Sequence, residues 1–229
     1  MKLLFIPGAA CGRKAWLCQT RHFAGSEAVT LPGHPEGKPC SSVAGYAAWL
    51  RDYIGEQQYQ GVVLAGHSMG GAVAQRYALD YGDGVKALVL ISTGARLRIR
   101  PELLEAVRGM VAGRLAWRDY LEERHSATVP EVRQAIIEER LQIGPAVLLN
   151  DLLACDKFDV MDRVRAIRLP TLVISGLDDE LTPVKYAHYL ASQIEGAREV
   201  IVPGAAHWVL AERPQEVSQA IAGFLAGLD

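Results

Sequence analysis

The sequence lacks the features that would direct it to a nucleic acid or a membrane. Its 229 residues carry 24 basic and 26 acidic side chains, and a formal net charge of −2 gives no reason to expect an anionic partner of that kind. No apolar run approaches the roughly 20 residues that a membrane-spanning helix needs. The apolar start of the chain stops at Pro7-Gly8, which is too early for a signal peptide. We therefore expect neither a nucleic acid nor a membrane as a partner.

Cysteine is also scarce, and its spacing is not that of a metal site or a disulfide framework. The four cysteines form no C-x-x-C pair, and no histidine–carboxylate cluster has the spacing of metal ligands. We accordingly expect no metal, no cofactor and a location in a reducing cytoplasm. The cysteines are Cys11, Cys18, Cys40 and Cys155.

Short, continuous apolar runs alternate with segments of helical spacing along most of the chain. Runs of this kind are typical of strands that are buried on both faces, so they predict an α/β fold: a mainly parallel sheet of about six strands with helices on both faces. Between residues 94 and 168 the β-branched runs disappear and helical patterns dominate. We predict a core over residues 1–93 and 169–229, and a helical lid inserted over 94–168 at the carboxyl ends of the strands. The predicted strands are Lys2–Ile6, Val29–Leu31, Val62–Ala65, Ala87–Ile91, Pro170–Gly176 and Arg198–Val202.

The most specific motif is Gly66-His67-Ser68-Met69-Gly70. An apolar run leads into it and an alanine-rich segment with helical spacing follows, as in the strand–turn–helix that exposes a nucleophilic serine. Gly66 and Gly70 stand two residues either side of Ser68, where a β-carbon would collide as strand and helix approach each other. The pattern predicts a nucleophile at Ser68, with a structural serine in some other α/β turn as the alternative.

A serine hydroxyl becomes a good nucleophile when a base removes its proton and a third group orients that base. Two later strand ends offer such groups. Asp178 and Asp179 follow one strand, and His207 follows the last strand. The order serine, aspartate, histidine along the chain is the order found in α/β-hydrolases. From the residues alone, either aspartate fits.

Motifs along nearly the whole chain resemble those of the α/β-hydrolase superfamily, in particular its small capped bacterial esterases and related lactonases and C–C hydrolases. The resemblance implies an α/β-hydrolase fold that lacks the first two strands, with Pro-Gly where the family usually has His-Gly ahead of the oxyanion loop. The matching segments are Pro7-Gly8-Ala9, Leu31-Pro32-Gly33-His34, the Ser68 motif, Gly176-x-x-Asp179-x-x-x-Pro183, and Gly204-x-x-His207 with Glu212-Arg213-Pro214 after it.

By that resemblance, Ser68 is the nucleophile, His207 is the general base and then the acid, and Asp179 orients the histidine. The backbone N–H groups of Ala9 and Met69 would form the oxyanion hole. The implied reaction is hydrolysis of carboxylic esters of small to medium acyl substrates through an acyl-enzyme. The same triad also serves C–C bond or lactone hydrolysis, perhydrolysis or an elimination. A receptor without catalysis is the third alternative.

Three further features fit more than one role. Trp208 follows the histidine and is expected either to line a substrate pocket or to pack in the core. The basic run Arg96-x-Arg98-x-Arg100 is interpreted as a solvated face, with docking of an acidic acyl carrier as the alternative. His67 is interpreted as a packed, hydrogen-bonded side chain and not as a second base.

Overall fold

The computed structural model describes residues 1–228, and one parallel sheet organises them. The strands of the described chain are β1 (Lys2–Ile6), β2 (Glu27–Ala28), β3 (Val62–His67), β4 (Val85–Ile91), β5 (Thr171–Gly176) and β6 (Arg198–Val202). Their order across the sheet is β2-β1-β3-β4-β5-β6, and each neighbouring pair is parallel. The prediction of a parallel sheet of about six strands is therefore confirmed.

Helices cover both faces of this sheet. They are α1 (Leu17–His22), α2 (Val43–Glu56), α3 (Met69–Asp80), α4 (Pro101–Val111), α5 (Trp117–Arg124), α6 (Pro130–Ile143), α7 (Pro145–Asp156), α8 (Lys185–Gln193), α9 (Val209–Glu212) and α10 (Pro214–Leu225). Short 3-10 helices span Arg13–Trp16 and Val164–Ala166.

Each central strand buries both of its faces. Leu64 in β3 belongs to one apolar cluster, which also contains Leu50 of α2 and Val73 of α3. The next residue back, Val63, points to the other face and belongs to a second cluster that contains Ile221 of α10. Because both faces are buried, the strand sequences are continuous apolar runs and do not alternate between apolar and polar residues.

The edge strand β2 is where the sequence prediction was wrong in position. We expected a strand over Val29–Leu31, whereas only Glu27 and Ala28 pair with β1. The Val29 N–H still donates to the carbonyl of Phe5, and the chain then turns away ahead of Pro32. Val29 and Leu31 are fully buried, so their apolar character reflects packing and not strand pairing.

Four helices, α4 to α7, lie between β4 and β5. The two segments that join them to the sheet run side by side, because the Leu97 N–H donates to the Phe158 carbonyl and the Val160 N–H donates to the Ala95 carbonyl. The helical content of this insertion agrees with the sequence. The division into two domains at residues 94 and 168 stays a prediction.

Candidate active site

Ser68 lies between β3 and α3 in a strained backbone conformation, with φ of 53° and ψ of −118°. A β-carbon on Gly66 would lie 2.2 Å from the Gly70 carbonyl oxygen, and one on Gly70 would lie 2.2 Å from the Ile6 carbonyl oxygen. Both distances are far inside van der Waals contact, so only glycine lets β3, α3 and β1 approach this closely. The sharp turn leaves the Ser68 side chain lining a cavity.

His207 lies in the loop after β6 and faces Ser68. Its Nε2 atom is 3.1 Å from the Ser68 Oγ atom, which is within reach for proton transfer. The buried carboxylate of Glu212 holds this loop, since it accepts hydrogen bonds from the backbone N–H groups of Ala206 at 2.5 Å and Trp208 at 3.2 Å. These two bonds flank His207 in the chain and fix the backbone that carries the imidazole.

Asp179 follows β5 and accepts a hydrogen bond from the other ring nitrogen of His207. The His207 Nδ1 atom lies 2.9 Å from Oδ2 and 3.1 Å from Oδ1 of the carboxylate. Burial raises the pKa of Asp179, but the charge of His207 and hydrogen bonds from His207 and Thr182 outweigh it and bring the pKa to about 2. Asp179 is therefore ionised at neutral pH. The structure brings Asp179 to the histidine, while Asp178 is exposed.

Thr182 is a residue of the site that the sequence reasoning missed. Its hydroxyl donates to Asp179 Oδ2 at 2.7 Å, and its backbone N–H donates to Oδ1 at 2.9 Å. The Leu181 N–H donates to the same Oδ1 at 2.9 Å. These bonds form a local Asx-type pattern, in which an aspartate side chain accepts hydrogen bonds from the backbone N–H groups two and three residues later. The Asp-x-x-Thr spacing was the available signal.

The backbone N–H groups of Ala9 and Met69 have no protein acceptor within residues 1–228. Met69 is the first residue of α3, so its N–H has no partner inside the helix. Ala9 lies in the loop after β1 and lines the same cavity as Ser68. Unpaired N–H groups beside a reactive hydroxyl are suited to stabilise a negatively charged oxygen.

Two helices of the insertion hold the next peptide of that loop. The Ala10 N–H donates to Asp151 of α7 at 2.9 Å, and the Ala10 carbonyl accepts from Nε of Arg140 in α6 at 3.2 Å. Asp151 is fully buried and also contacts His34 Nε2 at 2.8 Å and the Tyr46 hydroxyl at 2.7 Å. Side chains from the insertion thus position the loop that contains Ala9, a link that the sequence reasoning did not make.

His67 is buried next to the serine, and its Nε2 atom lies 2.9 Å from the His207 backbone carbonyl, to which it donates. Burial, and to a lesser extent the charge of His207, lower the pKa of His67 to about 3. It is therefore neutral at neutral pH and packs as a hydrogen-bonded side chain. Trp208 is 6% exposed. It packs in the core and also lines the cavity, which combines the two roles that the sequence allowed.

A cavity of about 300 Å³ lies over Ser68 and His207, at the lower end of the range for ligand pockets. The ends of the strands line one wall, and the insertion lines the other. Most of the cavity lining is apolar, and the charged lining residues are mostly cations although the chain as a whole carries a net charge of −2. The charged lining residues are Arg98, Arg100, Arg124, Arg140, Glu180 and Lys185.

The basic run at the start of the insertion divides between two environments. Arg96 lies 3.7 Å from the Asp159 carboxylate and forms a surface ion pair. Arg98 and Arg100 are exposed but line the cavity mouth. All three arginines are exposed, and the interpretation of the run as a solvated face stays a prediction.

Residues 3–220 match the family model for the alpha/beta hydrolase family. The chain belongs to that family. A pimeloyl-acyl-carrier-protein methyl ester esterase from Yersinia enterocolitica is 26% identical over 240 aligned positions, which cover 97% of this hydrolase and 92% of the relative. The fold class and the enzyme class predicted from the sequence are confirmed.

Solved structures of esterases share the whole fold of this hydrolase. A thermophilic esterase from Thermogutta terrifontis with malate bound has a TM-score of 0.84 and 26% identity, covering 100% of this chain and 90% of its own. Another thermophilic esterase has a TM-score of 0.82 and 31% identity, covering 99% and 90%. The chain is accordingly an esterase-type hydrolase.

A metal-ligand cluster and a membrane-spanning helix are both absent from residues 1–228 of the hydrolase. No group of three or more His, Cys, Asp or Glu side chains there is placed to hold a metal ion. No helix in that part of the chain is both long enough and apolar enough to cross a membrane. The four cysteines are free thiols.

Proposed function

We propose that the protein hydrolyses carboxylic esters of small to medium acyl substrates, with Ser68 as nucleophile, His207 as base and then acid, and Asp179 as the group that orients His207. One observation carries the proposal. The Ser68 Oγ–His207 Nε2 distance of 3.1 Å and the His207 Nδ1–Asp179 Oδ2 distance of 2.9 Å form one continuous chain of contacts. The esterases among the relatives support an ester as the bond that is cleaved.

The first half of the reaction forms an acyl-enzyme. Because the Asp179 carboxylate accepts the Nδ1–H of His207, the Nε2 lone pair faces Ser68 and takes the hydroxyl proton as Oγ attacks the carbonyl carbon. The N–H groups of Ala9 and Met69 donate to the carbonyl oxygen as it becomes negative. The alcohol then leaves with the proton from Nε2, and the acyl group stays on Ser68.

The second half returns the free enzyme. A water molecule gives a proton to His207 Nε2 while its oxygen attacks the acyl carbon, and the same two N–H groups stabilise the second oxyanion. Collapse of this intermediate breaks the bond to Ser68 Oγ, which recovers its proton from His207. The carboxylic acid is released. No cofactor enters either half.

The experiment that tests this proposal labels the nucleophile with a fluorophosphonate and assigns the modified peptide by mass spectrometry. We expect labelling of the wild type and of Ser41→Ala, a control at an exposed serine, and none of Ser68→Ala. A panel of p-nitrophenyl esters should show a burst of one equivalent with the wild type. Labelling of Ser68→Ala at an unchanged level, or turnover of C–C or lactone substrates with no ester cleavage, would overturn the proposal.

A carrier-linked ester is a second form in which the substrate could arrive. Arg98 and Arg100 give the cavity mouth a positive charge that would favour an acidic acyl carrier, and the Yersinia relative is named for such a substrate. Comparing kcat/KM for one methyl ester, free and attached to an acyl carrier protein, decides between the forms. A gain on attachment favours the carrier, and equal values favour the free ester.

A further inference from the structure

We propose that the cavity selects esters that carry a second, ionised carboxylate, and that Arg140 binds this carboxylate. The inference rests on the proposed ester hydrolysis at Ser68 and names the class of ester. Such a substrate is the half-ester of a dicarboxylic acid.

Arg140 is a buried cation that lines the cavity. Its side chain comes from α6, and the residue is 4% exposed. A guanidinium has five N–H donors. Nε donates to the Ala10 carbonyl at 3.2 Å, and Nη1 donates to His125 Nε2 at 2.9 Å. The remaining three N–H groups have no acceptor among residues 1–228.

No ion pair within residues 1–228 neutralises this charge, although the guanidinium carbon lies 5.5 Å from the ring centre of Trp117. No carboxylate of the described residues lies within ion-pair distance of Arg140, and both oxygens of the nearby Asp151 accept hydrogen bonds from other groups, including His34 and Tyr46. His125 is neutral, because burial and the charge of Arg140 lower the pKa of His125 to about 2. A buried charge without a counter-ion is costly. An anionic ligand would remove that cost.

The location of Arg140 suits a ligand that reacts at Ser68. It bonds to Ala10, the residue after the proposed oxyanion donor Ala9. Its guanidinium carbon lies 5.1 Å from the ring centre of Trp208, the residue after the proposed base. An ester held at the nucleophile therefore needs only a short chain to bring a second carboxylate to the guanidinium.

The mouth of the cavity has the charge that would attract such a substrate. Four cationic side chains besides Arg140 line the cavity, and none of them forms an ion pair within the described chain. Glu180 is the one carboxylate among the described lining residues. Low-dielectric walls lined by one sign of charge concentrate ligands of the opposite sign. The mouth cations are Arg98, Arg100, Arg124 and Lys185.

The first test compares each half-ester with its neutral isostere. Monomethyl esters of linear dicarboxylic acids of increasing length are assayed beside the same esters with the free carboxylate replaced by a carboxamide. We expect kcat/KM to favour the acid by about 10- to 100-fold at the best length, the value of one hydrogen bond to a charged group. A ratio near one at every length would overturn the proposal.

The second test asks whether Arg140 is the source of the preference. In Arg140→Met the ratio should fall to near one, and in Arg140→Lys, which keeps the charge, part of it should remain. Arg133→Met, on the same helix but outside the cavity lining, should leave the ratio unchanged. If Arg140→Met lowers activity on acid and amide equally, Arg140 only positions the Ala10 loop and the proposal fails.

The third test needs neither a folded Arg140 variant nor turnover. Dicarboxylates and their half-amides are titrated into Ser68→Ala by calorimetry, where the dicarboxylate should bind about 10-fold more tightly or better. Inorganic phosphate is a further arm, and binding of phosphate in preference to every dicarboxylate would overturn the carboxylate assignment. Absence of ester hydrolysis by the wild type would refute the proposed function, whereas equal binding of acid and amide by Ser68→Ala would refute the anion site.

Discussion

The two walls of the cavity are built on different principles. On the sheet wall, Ser68, Asp179 and His207 come from loops after three strands. Their contacts with one another satisfy both ring nitrogens, and the Thr182 hydroxyl also donates to the carboxylate. On the helical wall, Arg140 keeps N–H groups without acceptors, and Arg98 stands at the mouth without an ion pair in the described chain. The catalytic side chains of the sheet wall are thus paired with one another, while on the helical wall we propose a ligand carboxylate as the missing partner of Arg140.

This difference places the proposed catalytic groups and the proposed substrate-selecting groups on separate parts of the fold. Groups that must be held within tenths of an ångström lie at the ends of buried strands, where packing restrains them. The groups that we propose to recognise the substrate lie on the insertion, which can vary without disturbing the sheet. Asp151 joins the two, because it is a residue of α7 that bonds to the Ala10 N–H of the sheet wall.

The largest effect is expected when the negative charge of Asp179 is removed from the sheet wall. Asp179→Asn should lower kcat by about 10⁴-fold, because an amide does not hold His207 in the tautomer that accepts a proton from Ser68. The matched change Asp178→Asn, next in the chain and exposed, should stay within about twofold of the wild type. Steady-state kinetics on one p-nitrophenyl ester measures both, and the reverse ranking would assign the role to the other aspartate.

The next effect breaks the connection between the walls. Asp151→Ala leaves His34, the Tyr46 hydroxyl and the Ala10 N–H without their acceptor, and the free energy of unfolding should fall by about 3 to 5 kcal/mol. Turnover should fall as well, because the loop with Ala9 loses an anchor. Urea unfolding measures the first and ester kinetics the second. Glu138→Ala, at an exposed residue of α6, serves as control and should change stability by no more than about 0.5 kcal/mol.

The sequence predicted the sheet wall because its signals are local. Strand, tight turn and helix around Ser68 are contiguous in the chain, and Gly66 and Gly70 mark the close approach that the structure shows. Asp179 and His207 follow apolar runs in the same way. Each of these residues is placed by its own strand, and the parallel order of the strands then brings their carboxyl ends to one edge.

The helical wall could not be predicted in this way, because its contacts join residues far apart in the chain. Ala10 meets Asp151 at a separation of 141 residues and Arg140 at a separation of 130. No periodicity distinguishes Arg140 from the exposed arginines of the insertion. The prediction of the edge strand was wrong for a related reason. Core packing and strand pairing both favour apolar residues, so the apolar run Val29–Leu31 could not distinguish a buried loop from a paired strand.

A smaller effect concerns the support of Asp179 and depends on pH. The pKa of Asp179 is lowered from 3.8 to about 2, so the stability this provides is present above about pH 4 and is lost as the pH falls toward 2. Thr182→Val removes one hydrogen bond to the carboxylate and raises the pKa of Asp179. The free energy of unfolding at pH 6 should fall by about 1 kcal/mol, and the difference from the wild type should narrow toward pH 2.

Urea unfolding at several pH values measures this effect. Thr20→Val, which removes a hydroxyl that donates to the Trp16 carbonyl, provides the control, because that bond involves no titrating group. Its cost should be the same at each pH. A Thr182→Val difference that is equally constant with pH would mean that the hydroxyl does not act through the Asp179 carboxylate.

The smallest expected effect tests the mouth of the helical wall. Replacing Arg98 and Arg100 together by alanine should lower kcat/KM for an acidic half-ester about 3-fold at low ionic strength, through slower capture of the anion. The difference should disappear near 1 M salt, where the screening length is about 3 Å. The neutral carboxamide ester should be unaffected. The same double change at Arg21 and Arg165, two exposed arginines outside the cavity, alters the net charge equally. An equal loss in that control would assign the effect to net charge and remove the mouth from substrate selection, leaving selection to the buried Arg140.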